Sequence, residues 1–130
     1  MRSQVTRVAL VAAGWLGACY LVRYRYVEVD ELVSVCAVSP EALVCRFREL
    51  MGKAMHFNVL GSAGLAVALA AVVLPGRVGW WIGVVALLAA VAALVFYNAS
   101  LGAPAAVLAL LRLVRLPAAQ ATAAPRPAAG

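Results

Sequence analysis

Apolar residues run along this chain in three long stretches separated by charge. Residues 8–22 carry no charge over fifteen positions. Taking in Val5 and Thr6, with Arg7 snorkelling, the run reaches about 18 residues, near the lower bound for a helix that spans a bilayer. Residues 57–74 form a second run. Pro75-Gly76-Arg77 then breaks the chain, as a turn dipeptide followed by a cation does. Residues 78–111 form a third run, 34 positions without charge. One helix of that length would measure about 51 Å, against a hydrocarbon core of roughly 30 Å. The run therefore divides in two, and its one polar cluster, Asn98-Ala99-Ser100 with Gly102 and Pro104 after it, places the turn. The pattern predicts helices over 5–22, 57–74, 78–97 and 101–116. It gives a single all-α transmembrane domain over 1–116, a four-helix bundle. An external segment covers 23–56, and an Ala- and Pro-rich tail, 117–130, is expected to be disordered in the cytoplasm.

The external segment carries its own periodicity. Leu43, Val44, Phe47, Leu50, Met51 and Ala54 recur at spacings of three and four, one apolar stripe on a helix. Ser39-Pro40-Glu41 reads as its start: a capping side chain, a proline for the first turn, and an acid for the positive dipole end. Arg46, Arg48, Glu49 and Lys53 lie off the stripe, and Glu49 with Lys53 is a favourable i, i+4 pair. Gly52 is the expected hinge. The helix is expected to lie on the outer leaflet or over the mouth of the bundle. Cys45 falls about 165° from the stripe centre at about 100° per residue, so it is no core filler. It is expected to meet Cys36 in a structural disulfide on the oxidising side of the membrane.

Composition supports the membrane reading. Of 130 residues, 66% are hydrophobic and 12% charged, and the mean hydropathy is +0.99. A soluble domain is about half apolar and a quarter charged, and a small one could not hide this excess. A water-soluble enzyme, a disordered chain and a disulfide-dense miniprotein are thereby excluded. The net charge of +6 sits between apolar runs, where it meets anionic headgroups and sets orientation, not in a stripe suited to nucleic acid. With four spans and both termini inside, Arg2, Arg7, Arg77, Arg112, Arg115 and Arg126 fall on the cytoplasmic side with no acid. Arg23, Arg25, Arg46, Arg48 and Lys53 fall outside, beside Glu28, Asp30, Glu31, Glu41 and Glu49. A three-span arrangement would leave three cations inside and eight outside. Tyr20, Tyr24, Tyr26, Phe96 and Tyr97 then mark the outer interface, and Trp80 and Trp81 the inner one.

Small residues mark helix contacts: Gly79 and Gly83 on the third helix, Ala9, Ala13 and Gly17 on the first, and Ser62, Ala66 and Ala70 on the second. Cys19 reads as a buried small hydrophobe. Leu16-Gly17-Ala18-Cys19 also resembles a bacterial lipobox, but Tyr20-Leu21-Val22 follows where a polar linker belongs, so the chain is expected to be unlipidated.

The chemistry expected of a carrier or redox enzyme is sparse. No acid lies in any predicted span, which weighs against a proton- or cation-coupled carrier. The single histidine, His56, cannot furnish a bis-histidine haem or a three-ligand zinc site. No phosphate loop or Ser/His/Asp set appears, and no cofactor is expected. Four helices with an external cysteine pair resemble the quinone-linked thiol oxidases of bacterial membranes in helix count. Their Cys-x-x-Cys and second external pair are missing, and no family follows. The function expected is a non-catalytic accessory or stabilising subunit of a larger complex in the bacterial inner membrane. Its expected partners are membrane lipids and another membrane protein or a second copy. The alternatives are a thiol-disulfide oxidoreductase using Cys36 and Cys45, and a small carrier of lipid or lipid-linked substrate.

Overall fold

The computed structural model describes residues 2–122, and the side chains of residues 4–115. The chain is helical throughout, with no strand among the described residues. Helix α1, Arg2–Val22, widens into a π-helical turn, Arg23–Val27, and is followed by α2, Glu31–Val38, α3, Leu43–His56, α4, Val59–Val73, α5, Gly76–Val95, and α6, Ala99–Thr122. Among the described residues two helices are long and apolar enough to cross a membrane, Gln4–Val27 and Gly76–Val95, or three if α3 and α4 are counted as one bent span.

Helices α4, α5 and α6 pack against one another as an up-down-up core. What they bury is small. Ala68, Ala86, Ala90, Ala105 and Ala109 are fully buried with Leu87 among them. Without a strong hydrophobic drive between helices in lipid, close backbone approach supplies the association, and alanine permits it. Gly64 lies where a methyl would touch the backbone of Ala89 and Ala90, and Gly102 where it would come within 3.0 Å of Ala93 Cβ. Helix α1 leans on α5 alone of the core helices in any extent. Cys19 is buried there beside Ala92, Val95 and Phe96, and Trp15 Nε1 donates to the Leu88 carbonyl at 2.9 Å.

The turns follow from local chemistry. A residue before proline avoids the helical region, and Leu74 is extended (φ −78°, ψ 127°) before Pro75, which ends α4. Gly76 takes a φ of +68° and opens α5. At the other end of α5 the Asn98 N–H reaches back to the Ala93 carbonyl at 2.8 Å, the six-to-one bond of a Schellman stop. Tyr97 sits in the left-handed position of that stop (φ 62°), where glycine is usual. The chain thus turns at residues 96–98, overlapping only the first residue of the cluster that predicted it, and α6 begins at Ala99.

Several expectations change. The helix expected to start at Ser39-Pro40-Glu41 starts at Leu43, with Ala42 as its cap and no side-chain capping bond. Residues 39–42 are a turn, closed by Ala42 N–H to Ser39 O, because α2 precedes and the chain must reverse there. Gly52 is not the hinge: α3 runs through it, and the 61° bend to α4 falls at Phe57–Asn58. Asn58 takes the left-handed conformation (φ 52°) that this bend requires, and asparagine tolerates it better than most residues. The stripe on α3 splits, with Val44 and Met51 half-buried while Leu43 is 88% and Leu50 63% exposed. Phe96 is buried against Cys19, not set in an aromatic belt. Helix α6 continues to Thr122 past Pro117, where the fourth helix was expected to have ended, and residues 123–130 of the expected disordered tail lie outside the described residues.

Candidate functional site

Polar side chains gather at the two ends of the bundle, and each cluster answers a backbone need. A helix leaves its last carbonyls unpaired, and in an apolar surrounding each unpaired group is costly.

At the end where α1 and α5 finish, Arg23 answers it. The π-helical turn closes with Glu28 N–H to Arg23 O at 3.0 Å. Arg23 Nη1 donates to the Val95 carbonyl at 2.8 Å, one of the last in α5. Its Nε meets Glu28 Oε1 at 2.7 Å, and its Nη2 donates to the Tyr97 hydroxyl. Tyr97 in turn donates to Glu28 Oε1 at 2.5 Å. Arg23 at the start of the π turn, Glu28 at its cap and Tyr97 of the α5–α6 corner thus form a closed ring. The Tyr97 hydroxyl, and then Arg23, hold the Glu28 carboxyl below the usual carboxylate range. The bond to Glu28, and then burial, push the Tyr97 hydroxyl up. The ring also fixes Tyr97 in a left-handed conformation that costs a non-glycine residue of order 1–2 kcal/mol.

Next to Tyr97 in the chain, Asn98 has no exposed surface. Its Nδ2 donates to Phe96 O at 2.9 Å, and its Oδ1 accepts from Gly61 N–H at 3.4 Å. The Gly61 amide is one of the unpaired donors of the first turn of α4. A methyl on Gly61 would lie 2.9 Å from Leu101 Cβ and 3.3 Å from Asn98, so only glycine lets α4 approach this corner.

Beyond this end, α2 leads through the turn at 39–42 into α3. Cys36 and Cys45 are joined by a disulfide, with their Cα atoms 5.5 Å apart and nine positions apart in sequence. Cys45 is buried and Cys36 half-buried. Arg48 Nη1 donates to Val29 O at 3.0 Å, Lys53 pairs with Glu49 at 2.6 Å, and Arg46 with Glu41 at 3.3 Å. The Lys53 ammonium holds the Glu49 carboxyl low. His56 stacks edge-on against Phe57, centroids 5.1 Å apart. No three His, Cys, Asp or Glu side chains converge as a metal would require among the described residues.

At the opposite end, Arg112 of α6 caps α4. Its Nε donates to Ala71 O at 2.7 Å and its Nη2 to Leu74 O at 2.7 Å. The Ala71 carbonyl would ordinarily accept from the N–H four residues on. That residue is Pro75, which has none. Gly79 sits under this cap, since a methyl there would strike the Leu74 carbonyl and come within 2.5 Å of Arg112 Nη2. A methyl on Gly83 would meet Leu113 Cδ2 at 3.4 Å.

Of the small residues singled out in the sequence, Gly79 and Gly83 thus meet α6, while Ala13 and Gly17 on α1 are exposed, and a methyl on Gly14 or Gly17 would point into open space. The arginine caps, the buried Asn98 and the left-handed Tyr97 escaped the sequence reading. Pro75 was the available signal for the first, because it necessarily orphans Ala71 O. No protein-family model matches the chain, and neither the curated proteins nor the solved structures contain a significant match to it.

Proposed function

We propose that this protein is a non-catalytic subunit of the inner membrane that packs against a membrane partner, another protein or a second copy, along α1. In this reading it crosses the bilayer four times, with both termini cytoplasmic. The observation that carries it is the state of α1. Only 6% of its most apolar 18-residue stretch is buried, against 50% for α5, and the open side presents Ala13, Gly14 and Gly17 with no neighbour at either glycine. Such residues in a lipid-facing helix let another helix approach closely. The polar groups described above are consumed in closing helix ends, which fits a scaffold better than a reaction centre.

The test is co-purification in mild detergent. The wild-type protein should bring down a discrete membrane partner, or itself as an oligomer, and Gly17→Leu should lose it while keeping the wild-type helix content. Equal recovery with Gly17→Leu overturns the α1 reading. For the topology, alkaline phosphatase fused after Ser34 should be active and fused after Pro117 inactive; activity at Pro117 removes the four-span arrangement. A second reading, a thiol-disulfide oxidoreductase, has in its favour that Cys36 is only half-buried. It requires Cys45→Ser to trap a mixed disulfide with another protein, visible on a non-reducing gel and lost on reduction.

A further inference from the structure

A groove of about 510 Å³ opens between α1, α5 and α6 in the half of the bundle where α1 and α5 begin. Val8 and Ala12 of α1, Trp80 of α5, and Leu110 and Val114 of α6 line it, and Gln4 stands at its end. Along α1 the lining runs from Gln4 to Ala12, about 12 Å of depth at about 1.5 Å per residue, close to the thickness of one hydrocarbon leaflet. The wall is apolar apart from Gln4, so its occupant is apolar along its length and polar at one end.

The charge around that end is of one sign. Arg7 neighbours Val8, Arg77 lies one turn before Trp80, and Arg115 adjoins Val114; all three are exposed. Arg112 of the same end is committed to the α4 carbonyls. Every acid of the chain lies between Glu28 and Glu49, at the other end of the bundle. Arginine side chains at a helix end extend to the headgroup level and attract anionic lipid. We infer that the groove is a binding site for an anionic phospholipid. One acyl chain lies along Val8, Ala12 and Leu110, and the phosphodiester headgroup sits among Arg7, Arg77 and Arg115.

Trp80 lies in the wall and reports occupancy. The protein with Trp15→Phe and Trp81→Phe, reconstituted in phosphatidylcholine vesicles, is titrated with acyl-brominated phosphatidylglycerol or acyl-brominated phosphatidylcholine. The phosphatidylglycerol should reach half-maximal quenching at a mole fraction roughly fivefold to tenfold lower, given the attraction of several basic residues for anionic lipid. About 1 M salt should abolish that advantage, because the screening length falls to about 3 Å. Ala9→Phe, at an exposed position of α1 that also lines the groove, should reduce quenching by the anionic lipid. Equal quenching by the two lipids overturns the proposal, since the groove then holds whatever lipid is adjacent. Absence of quenching by either also overturns it, since the groove is then filled by protein. A preference that survives high salt overturns the role of the arginines.

Discussion

Replacing Arg112 by methionine keeps most of the side-chain stem and removes the guanidinium. Two hydrogen bonds of 2.7 Å disappear, to Ala71 O and to Leu74 O. The two carbonyls differ in what can replace the donor. Leu74 is partly exposed and its carbonyl can be solvated, whereas Ala71 is fully buried, and Pro75 offers it no N–H. A buried polar group left unpaired costs about 1–3 kcal/mol. Hydrogen bonds between membrane helices average about 0.6 kcal/mol, with a maximum near 1.7, which pulls the expectation to the lower part of that range. Loss of a cation at a helix C-terminus adds about 0.3–1 kcal/mol. Together these give about 2 kcal/mol, roughly a thirtyfold change in the folded-to-unfolded ratio. Reversible unfolding by dodecyl sulfate in mixed micelles, followed by circular dichroism, measures it. Arg115→Gln, an exposed arginine one turn further along α6, is the control for charge alone and should cost less than about 0.5 kcal/mol. If Arg112→Met falls within that same margin, the guanidinium does not cap α4 and the account of Pro75 is wrong.

Three further outcomes follow from the geometry. Gly61→Ala should destabilise by about 1–2 kcal/mol, because overpacking against Leu101 exceeds the gain in helix propensity; Gly52→Ala, with open space around it, should stabilise by up to about 1 kcal/mol, and the same unfolding titration reads both. The Glu28 carboxyl is held low, so its contribution is present above the ordinary carboxylate range and lost as pH falls through its folded value; Tyr97 is held high, so its contribution is present below the ordinary phenol range and lost as pH rises through its folded value. The protection factor of the Asn98 amide, its exchange rate taken against the intrinsic rate at each pH, should therefore be highest between those limits, and Glu28→Gln should remove the acid limb and weaken the basic one, since the bond to Glu28 is the first cause that holds Tyr97 high. Cys36→Ser with Cys45→Ser opens a loop of about ten residues, worth about 2.5–3 kcal/mol in the chain-entropy account, and should quicken exchange in α2 and the first turn of α3 while leaving α5 and α6 as protected as before.

The helical character of the chain was legible because apolar runs of 15 to 34 residues leave few other ways to satisfy the backbone in lipid. The break at Pro75 was equally plain, since proline both ends a helix and restricts its predecessor. The cysteine pairing was suggested by Cys45 lying opposite the apolar stripe, and the structure joins it to Cys36. Helix α2 was not legible: Glu31–Val38 is short, and its amphipathic signal is weak. The two arginine caps were hidden by a different cause. Arg23 and Arg112 are indistinguishable in sequence from orienting charges, and only the fold brings Val95 O and Ala71 O within their reach. Tyr97 was placed at the outer interface on residue type, and that placement did not disclose that its backbone is the stop signal of α5 and its hydroxyl part of the ring with Arg23 and Glu28.

The bundle is inside-out by volume. Its centre is methyl groups on alanine, the largest side chain with essentially no exposure is the amide of Asn98, and leucine, valine and tryptophan stand mostly at the periphery. In a soluble domain the commonest damaging core substitution removes volume and leaves a cavity. Here the interior offers almost nothing to trim, and nearly every replacement at Ala68, Ala86, Ala90, Ala105 or Ala109 can only add bulk and force helices apart. The periphery is the reverse, since one branched aliphatic serves lipid as well as another. Sequence divergence in such a protein would therefore accumulate on its large residues and stall on its smallest ones, so that ancestry is best preserved at positions usually discounted as uninformative alanine.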